Sequence, residues 1–230
     1  MEHEPDDAPE PTLVDLAERF DNEGMVGFTR MFHDDLRNGF DAVNEERFPW
    51  LSELKQAPWS GVLCLGMGGS AAGGDFLAAL TAHSGGCPVM VHRDYTLPAW
   101  FDATWLVLAT SHSGNTEETV AAAEAALDRG ATVIVIATGG VLAGLPELSP
   151  RCHLIPTVGG QPPRTAFGHI FSRQVACLEH LGLLPTQADH ERETILQRLE
   201  ANNEHFDVLK QPEGDIALLA AGLLNRPLAV

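Results

Sequence analysis

The chain has 230 residues, room for one large domain or two small ones, and its apolar content of 44% can fill a core. With 32 Asp and Glu against 14 Lys and Arg, the formal net charge is -18. A field of that sign repels nucleic acids and anionic lipid surfaces, so neither is expected as a partner. Any phosphate site must then be local, built from backbone amides and a few placed side chains.

Residues 1–22 read as an acidic, proline-rich tail followed by a leading helix. The opening MEHEPDDAPEP has neither the basic start nor the apolar stretch of a signal peptide. No apolar run approaches membrane-spanning length, and a cytoplasmic location is expected. Phe28, Phe32, Leu36, Phe40 and Val43 then recur at helical spacing. From Gly61 short apolar runs alternate with helical ones. GVLCLG precedes a helix from about Ser70 to Ala82, and PVMVH follows. TWLVLAT precedes a helix over Thr116–Arg129, ATVIVIAT a short helical piece, and CHLIPT a helix over Thr165–Leu181. Runs that are apolar throughout, rather than alternating, belong to strands buried on both faces. The pattern predicts a three-layer, doubly wound α/β domain with about five parallel strands flanked by helices over residues 23–184. Residues 185–230 read as a polar helical linker, a second short helix and the opening of a further strand at Pro227–Val230.

Cys64, Cys87, Cys152 and Cys177 form no CxxC pair and no zinc-ligand spacing. Apolar neighbours make them reduced core residues, which fits a reducing compartment. The ten histidines are scattered, in pairs no better than His83 and His92, so no metal and no other cofactor is expected.

Three motifs stand at strand-to-helix turns. The first, Gly66-Met67-Gly68-Gly69-Ser70, opens a helix whose unpaired N–H groups and partial positive charge suit an anion. It also satisfies a dinucleotide fingerprint through Gly66, Gly68 and Ala71, with Asp94 as a late ribose-binding acid, or it serves only tight helix packing. The second, Ser111-His112-Ser113-Gly114-Asn115-Thr116, crowds three hydroxyls and an Asn at one helix start, as phosphate oxygens require. The competing reading is a helix cap, for which one such residue suffices. Glu117 and Glu118 already complement the helix dipole, which counts slightly against a phosphate unless they face solvent. The third, Pro162-Pro163-Arg164-Thr165-Ala166, holds Arg164 on a stiff mount at the carboxyl edge of the sheet, with Thr165 available as a cap; otherwise Arg164 is a solvated surface residue.

GMGGS, SHSGNTEET and PPRTAFG together resemble the signatures of the SIS (sugar isomerase) domain. The combination, with Asp21-Asn22-Glu23-Gly24-Met25 ahead of it and LLNRPLAV behind, is similar to the N-terminal half of bifunctional phosphoglucose/phosphomannose isomerases. The resemblance covers nearly the whole chain. It implies two SIS domains per chain, a homodimer and the interconversion of aldose and ketose 6-phosphates through a cis-enediolate. It further implies that Ser111, Ser113 and Thr116 hold the phosphate with help from Ser70 and from the backbone of Gly68, Gly69, Gly114 and Asn115. Arg164 would stabilise charge on the reacting carbons. The family's general-base Glu, ring-opening His and a further Lys belong to its second SIS domain, so this chain is expected to bind sugar phosphate with little turnover unless such a domain acts in trans. His112 replaces an aromatic residue of many relatives. Two other readings remain: a sugar-phosphate-sensing module without chemistry, and an NAD(P)-binding domain. Glu204 and His205 offer a substitute base, but a polar helix face explains them better.

Overall fold

A computed structural model describes residues 11–223. The N-terminal ten residues and the strand expected at 227–230 lie outside them. The elements run α1 (Leu13–Phe20), α2 (Met25–Arg30), α3 (Phe32–Asp41), α4 (Trp50–Leu54), β1 (Gly61–Leu65), α5 (Gly68–Ser84), β2 (Val89–His92), β3 (Trp105–Thr110) and α6 (Glu117–Asp128). They continue with β4 (Val133–Ala137), α7 (Gly140–Leu148), β5 (Cys152–Pro156), α8 (Phe167–His180), α9 (Asp189–His205) and α10 (Asp215–Leu223). Among the described residues no helix is long and apolar enough to cross a membrane.

All five strands are parallel, in the order β2-β1-β3-β4-β5. Alternate residues of the central strands feed two cores. Val62, Cys64, Leu106, Leu108, Ile134 and Ile136 pack with Leu51, Leu77, Val175, Cys177 and Leu178 on one face. Leu63, Leu65, Val107, Ala109, Val133 and Val135 pack with Ala122, Ala123, Ala126, Leu142 and Leu145 on the other. The helices therefore lie α4, α5 and α8 on one side, α6 and α7 on the other. Each fully buried Leu or Ile contributes about 1.5–3 kcal/mol, so the two-sided burial anticipated from the apolar runs supplies most of the sheet's stability. The exception is the edge strand β2, where Met90 is exposed and the rest half-buried. Cys64, Cys152 and Cys177 are buried free thiols, and burial pushes each up to about 12. Cys87, expected in the core, is only half-buried.

The order reverses between β1 and β3: the connection from β1 carries α5 outward to β2, and that from β3 carries α6 the other way to β4. In open α/β sheets this switch point opens a crevice at the carboxyl ends of the two strands. The first two glycine- and serine-rich motifs are the turns that leave those two strands.

Helix α3 lies close against α8 because Gly39 has no side chain; a Cβ there would fall 1.7 Å from Ser172 Oγ. The seam encloses charge. His169 Nε2 stands 3.0 Å from Asp35 Oδ1, and Arg173 donates to the carbonyls of His169 (2.9 Å) and Pro156 (3.1 Å). Helix α9 packs against α3 and α2; Arg37 ties α3 to Glu193 of α9 (3.2 Å), Arg192 ties α9 to Glu179 of α8 (2.6 Å), and Arg30 of α2 pairs with Asp207 just beyond α9 (2.6 Å).

Burial raises the Asp35 carboxyl from its ordinary 3.8 to about 6. Between those values the folded protein keeps a proton that the unfolded chain has released, so this group's stability contribution falls as pH rises through that window. A displacement of about two pH units corresponds to about 3 kcal/mol. Asp35→Asn cannot ionise. Its urea-unfolding free energy, relative to wild type, is therefore expected to rise by up to about 3 kcal/mol between pH 4 and pH 7. Parallel pH profiles for the two proteins would refute this.

Candidate functional site

The turns after β1 and β3 and the loop before α8 wall one cleft of about 520 Å³. Met67, Gly69 and Ser70 line it from the α5 start. Ser111, His112, Ser113 and Thr116 line it from the α6 start, and Pro163, Arg164 and Phe167 from the approach to α8. Ser70, Ser111, Ser113, Thr116, Gly69 and Arg164, expected together from the sequence, thus meet at one place. Among the described residues no carboxylate lines the cleft, although the chain carries a net charge of -18.

The caps decide between two readings of the second motif. Thr116 sits at the N-cap of α6, yet no side chain caps that helix, and none caps α5. The hydroxyls are used elsewhere. Ser111 Oγ pairs with Thr116 Oγ1 at 2.8 Å and accepts from Gly114 N at 3.1 Å, while Ser113 Oγ accepts from Asn115 N at 3.2 Å. Two helix N-termini, each with unsatisfied donors and a partial positive charge, therefore open onto the same space.

The turn is stiff. Gly114 adopts φ +71°, and a Cβ there would lie 1.8 Å from the Gly139 carbonyl oxygen. Asn115 Oδ1 accepts from Val141 N at 3.0 Å, which fastens the turn to the start of α7. Thr138 donates to the His112 carbonyl through N (3.0 Å) and Oγ1 (2.7 Å). The backbones of Gly114 and Asn115, expected to face the ligand, instead spend their N–H groups on the turn's own hydroxyls. Gly68 opens α5, and it is Gly69 beside it that faces the cleft. From below, the fully buried Gln174 of α8 donates to Thr110 Oγ1 at 2.9 Å and anchors the end of β3. Nothing in an apolar helical run marks this Gln as an anchor.

Arg164 is exposed and makes no hydrogen bond or ion pair among the described residues. Thr165, expected as the α8 cap, is not one. Ala166 holds that position, and Thr165 Oγ1 donates to the Pro162 carbonyl at 2.8 Å, closing the turn that presents Arg164. Asp94 accepts from Thr96 N at 3.2 Å within its own turn. Glu204 lies near Lys210 (3.7 Å) and His205 packs edge-on to Phe206; neither lines the cleft. His112 is half-buried, and burial lowers its imidazole below the ordinary range.

Against known proteins, residues 57–143 match the family model described as SIS domain. The chain is 40% identical over 134 residues to the bifunctional phosphoglucose/phosphomannose isomerase of Caldicellulosiruptor bescii, covering 58% of this chain and 39% of that protein. It is 32% identical over 173 residues to the protein of the same name from Aquifex aeolicus, covering 74% and 51%. The chain thus spans about half, or less, of the length of these relatives. Among solved structures, the tagatose-6-phosphate ketose/aldose isomerase of Escherichia coli superposes with TM-score 0.55 at 21% identity over 82% of this chain and 52% of that one. The C-terminal domain of glucosamine-fructose-6-phosphate aminotransferase from Francisella tularensis gives 0.62 at 12% identity over 89% and 60%. These two likenesses establish the fold.

Gly114→Ala tests the turn. Both the positive φ and the Gly139 oxygen oppose the methyl group, and the expected loss is about 2–4 kcal/mol by chemical unfolding. Unchanged stability would mean that the turn yields freely.

Proposed function

Residues 57–143 are a SIS domain, and from that premise we propose that this chain binds hexose 6-phosphates. We propose further that it forms the phosphate-holding half of an aldose–ketose isomerase acting on glucose 6-phosphate or mannose 6-phosphate and fructose 6-phosphate. The observation that carries the reading is the pair of uncapped helix N-termini facing one cleft beside the free Arg164. A phosphate settled there takes donors from Ser70, Ser113 and Thr116 and from the Gly69 backbone. Ser111 exchanges its bond with Thr116 for one to the ligand. The dipoles of α5 and α6 favour the dianion by about 0.3–1 kcal/mol each. The relatives named for glucose and mannose phosphate isomerisation support the choice of substrate.

Arg164 is the proposed catalytic residue. Moving a proton between C1 and C2 of the open-chain sugar passes through a cis-enediolate with negative charge on two oxygens. A guanidinium free of internal partners and held over the cleft meets that charge as it forms. The base is a different matter. No carboxylate lines the cleft among the described residues, and we propose that the carboxylate base is brought from elsewhere: a further SIS unit of a longer chain, or one acting in trans. The greater length of the relatives supports this division. Residues 185–230 are proposed to lead towards that unit, and a homodimer to be the working assembly.

Two outcomes test the reading. Glucose 6-phosphate at a hundredfold over its dissociation constant is expected to add about 2.7 kcal/mol of stability, a rise of several degrees in Tm, while glucose adds nothing. Equal shifts from the two sugars in thermal scanning would remove the phosphate site. Ser113→Ala and Thr116→Ala are each expected to weaken glucose 6-phosphate binding about tenfold to a hundredfold in calorimetric titration, since a hydrogen bond to a charged group is worth about 1.5–3 kcal/mol. Wild-type affinity in both would reduce these hydroxyls to braces of the turn.

A further inference from the structure

His112 stands between Ser111 and Ser113, and the residue lines the cleft. Its carbonyl is held by both donors of Thr138, which fixes the backbone from which the ring projects. Its Nε2 is buried without a hydrogen-bond partner. A neutral imidazole offers one donor and one acceptor nitrogen, and the imidazolium donates from both, so an anion brought beside this ring favours the protonated form. Burial opposes that charge, while the nearby Val158 backbone favours it. No carboxylate among the described residues lining the cleft offsets that cost.

We propose that His112 is a proton-coupled part of the anion site, neutral in the unliganded protein and protonated when a dianion settles on the Ser111–Thr116 turn. The inference rests on the sugar-phosphate reading of the cleft and adds to it a regulation: affinity for the dianion is tied to pH. The other charged groups around the ring support the assignment. From α8, His169 lies within electrostatic reach of His112, whose charge would disfavour protonation of His169. His169 is itself pinned by Asp35 of α3 and kept neutral by burial and the Arg173 guanidinium. From the loop before α8, Arg164 adds a permanent positive charge to the cleft. Glu117 and Glu118 stand in the first turn of α6, outside the cleft lining, and Thr138 in the turn before α7 reaches the His112 carbonyl. Of the two neighbouring imidazoles, His112 is the one that lines the cleft, whereas His169 faces Asp35 in the seam behind it.

The sign follows from linkage. A dianion within about 4–6 Å favours the charged imidazole, raising its pKa by about one unit or more. Binding therefore takes up a proton between the unliganded and liganded values, and affinity rises as pH falls through that window. Inorganic sulfate is the clean probe, since it stays a dianion across it, whereas a phosphate ester titrates near pH 6. Calorimetric titration of sulfate and of glucose 6-phosphate into the wild-type chain, in two buffers of different ionisation enthalpy, reads the uptake directly. Between pH 7.5 and 5.5 sulfate affinity is expected to rise about tenfold with net proton uptake. His112→Gln and His112→Phe, each checked for folding by thermal unfolding, are expected to lose the uptake and most of the pH dependence; His169→Gln is expected to keep both. Should the variants fail to fold, NMR titration of the wild-type imidazoles still decides: one of the ten histidines must titrate at higher pH with sulfate present. If neither ligand binds at any pH, the sugar-phosphate reading falls. If both bind without proton uptake, or if His112→Gln takes up as much as wild type, that reading stands and the role of His112 is overturned.

Discussion

The site depends on the reversal of strand order between β1 and β3. Two parallel strands lie side by side, each feeds a helix, and the helices must leave on opposite faces because each face needs its own cover. Two helix starts are thereby forced next to each other at the carboxyl edge. The first N–H groups of a helix have no partner within it, so the arrangement concentrates unpaired donors and two positive dipole ends in one crevice. A side-chain cap would have filled them. Here the capping residue types are present but bonded to one another across the turn, which leaves the helix ends open.

The overall charge makes this local construction necessary. At a net charge of -18, no long-range field draws a phosphorylated sugar in. Backbone donors are suited to that setting because their partial charges are fixed in place. They cost nothing to organise when the ligand arrives, and salt screens them poorly inside a walled cleft. That no carboxylate lines the cleft among the described residues belongs to the same solution, since one Asp or Glu there would cancel much of what the dipoles supply.

Much of this was legible in the sequence, for particular reasons. Uninterrupted apolar runs such as VLCL and VIVIA have only one soluble explanation as strands, burial on both faces, so the parallel sheet and its flanking helices followed. Glycines and hydroxyls clustered at strand ends marked the turns, and the proline pair marked the mount of Arg164. Strand order was not legible, because five similar apolar runs carry no label of which lies beside which, and the switch point exists only in that order. Nor was the use of each polar group. Thr116, Asn115 and Thr165 all read as ligand donors or caps, and each spends a polar group within a turn or on fastening one turn to the next. Gln174 and the Asp35–His169 pair were hidden altogether, being single polar residues in amphipathic helices whose partners lie more than sixty residues away.

The contrast between the two sides of the cleft bears on catalysis. The phosphate side is knitted by a dense set of short-range hydrogen bonds and tolerates no Cβ at Gly114. The opposite side carries Arg164 on a loop, without a partner among the described residues. On the proposed reading this is the useful division. The phosphate takes no part in the proton transfer, so tight, rigid binding there can offset the entropy of placing C1 and C2. A guanidinium needed only as negative charge develops gains from having no ground-state partner to release. A base supplied from outside this lining would then meet a substrate already oriented, and the reaction would wait only on its arrival.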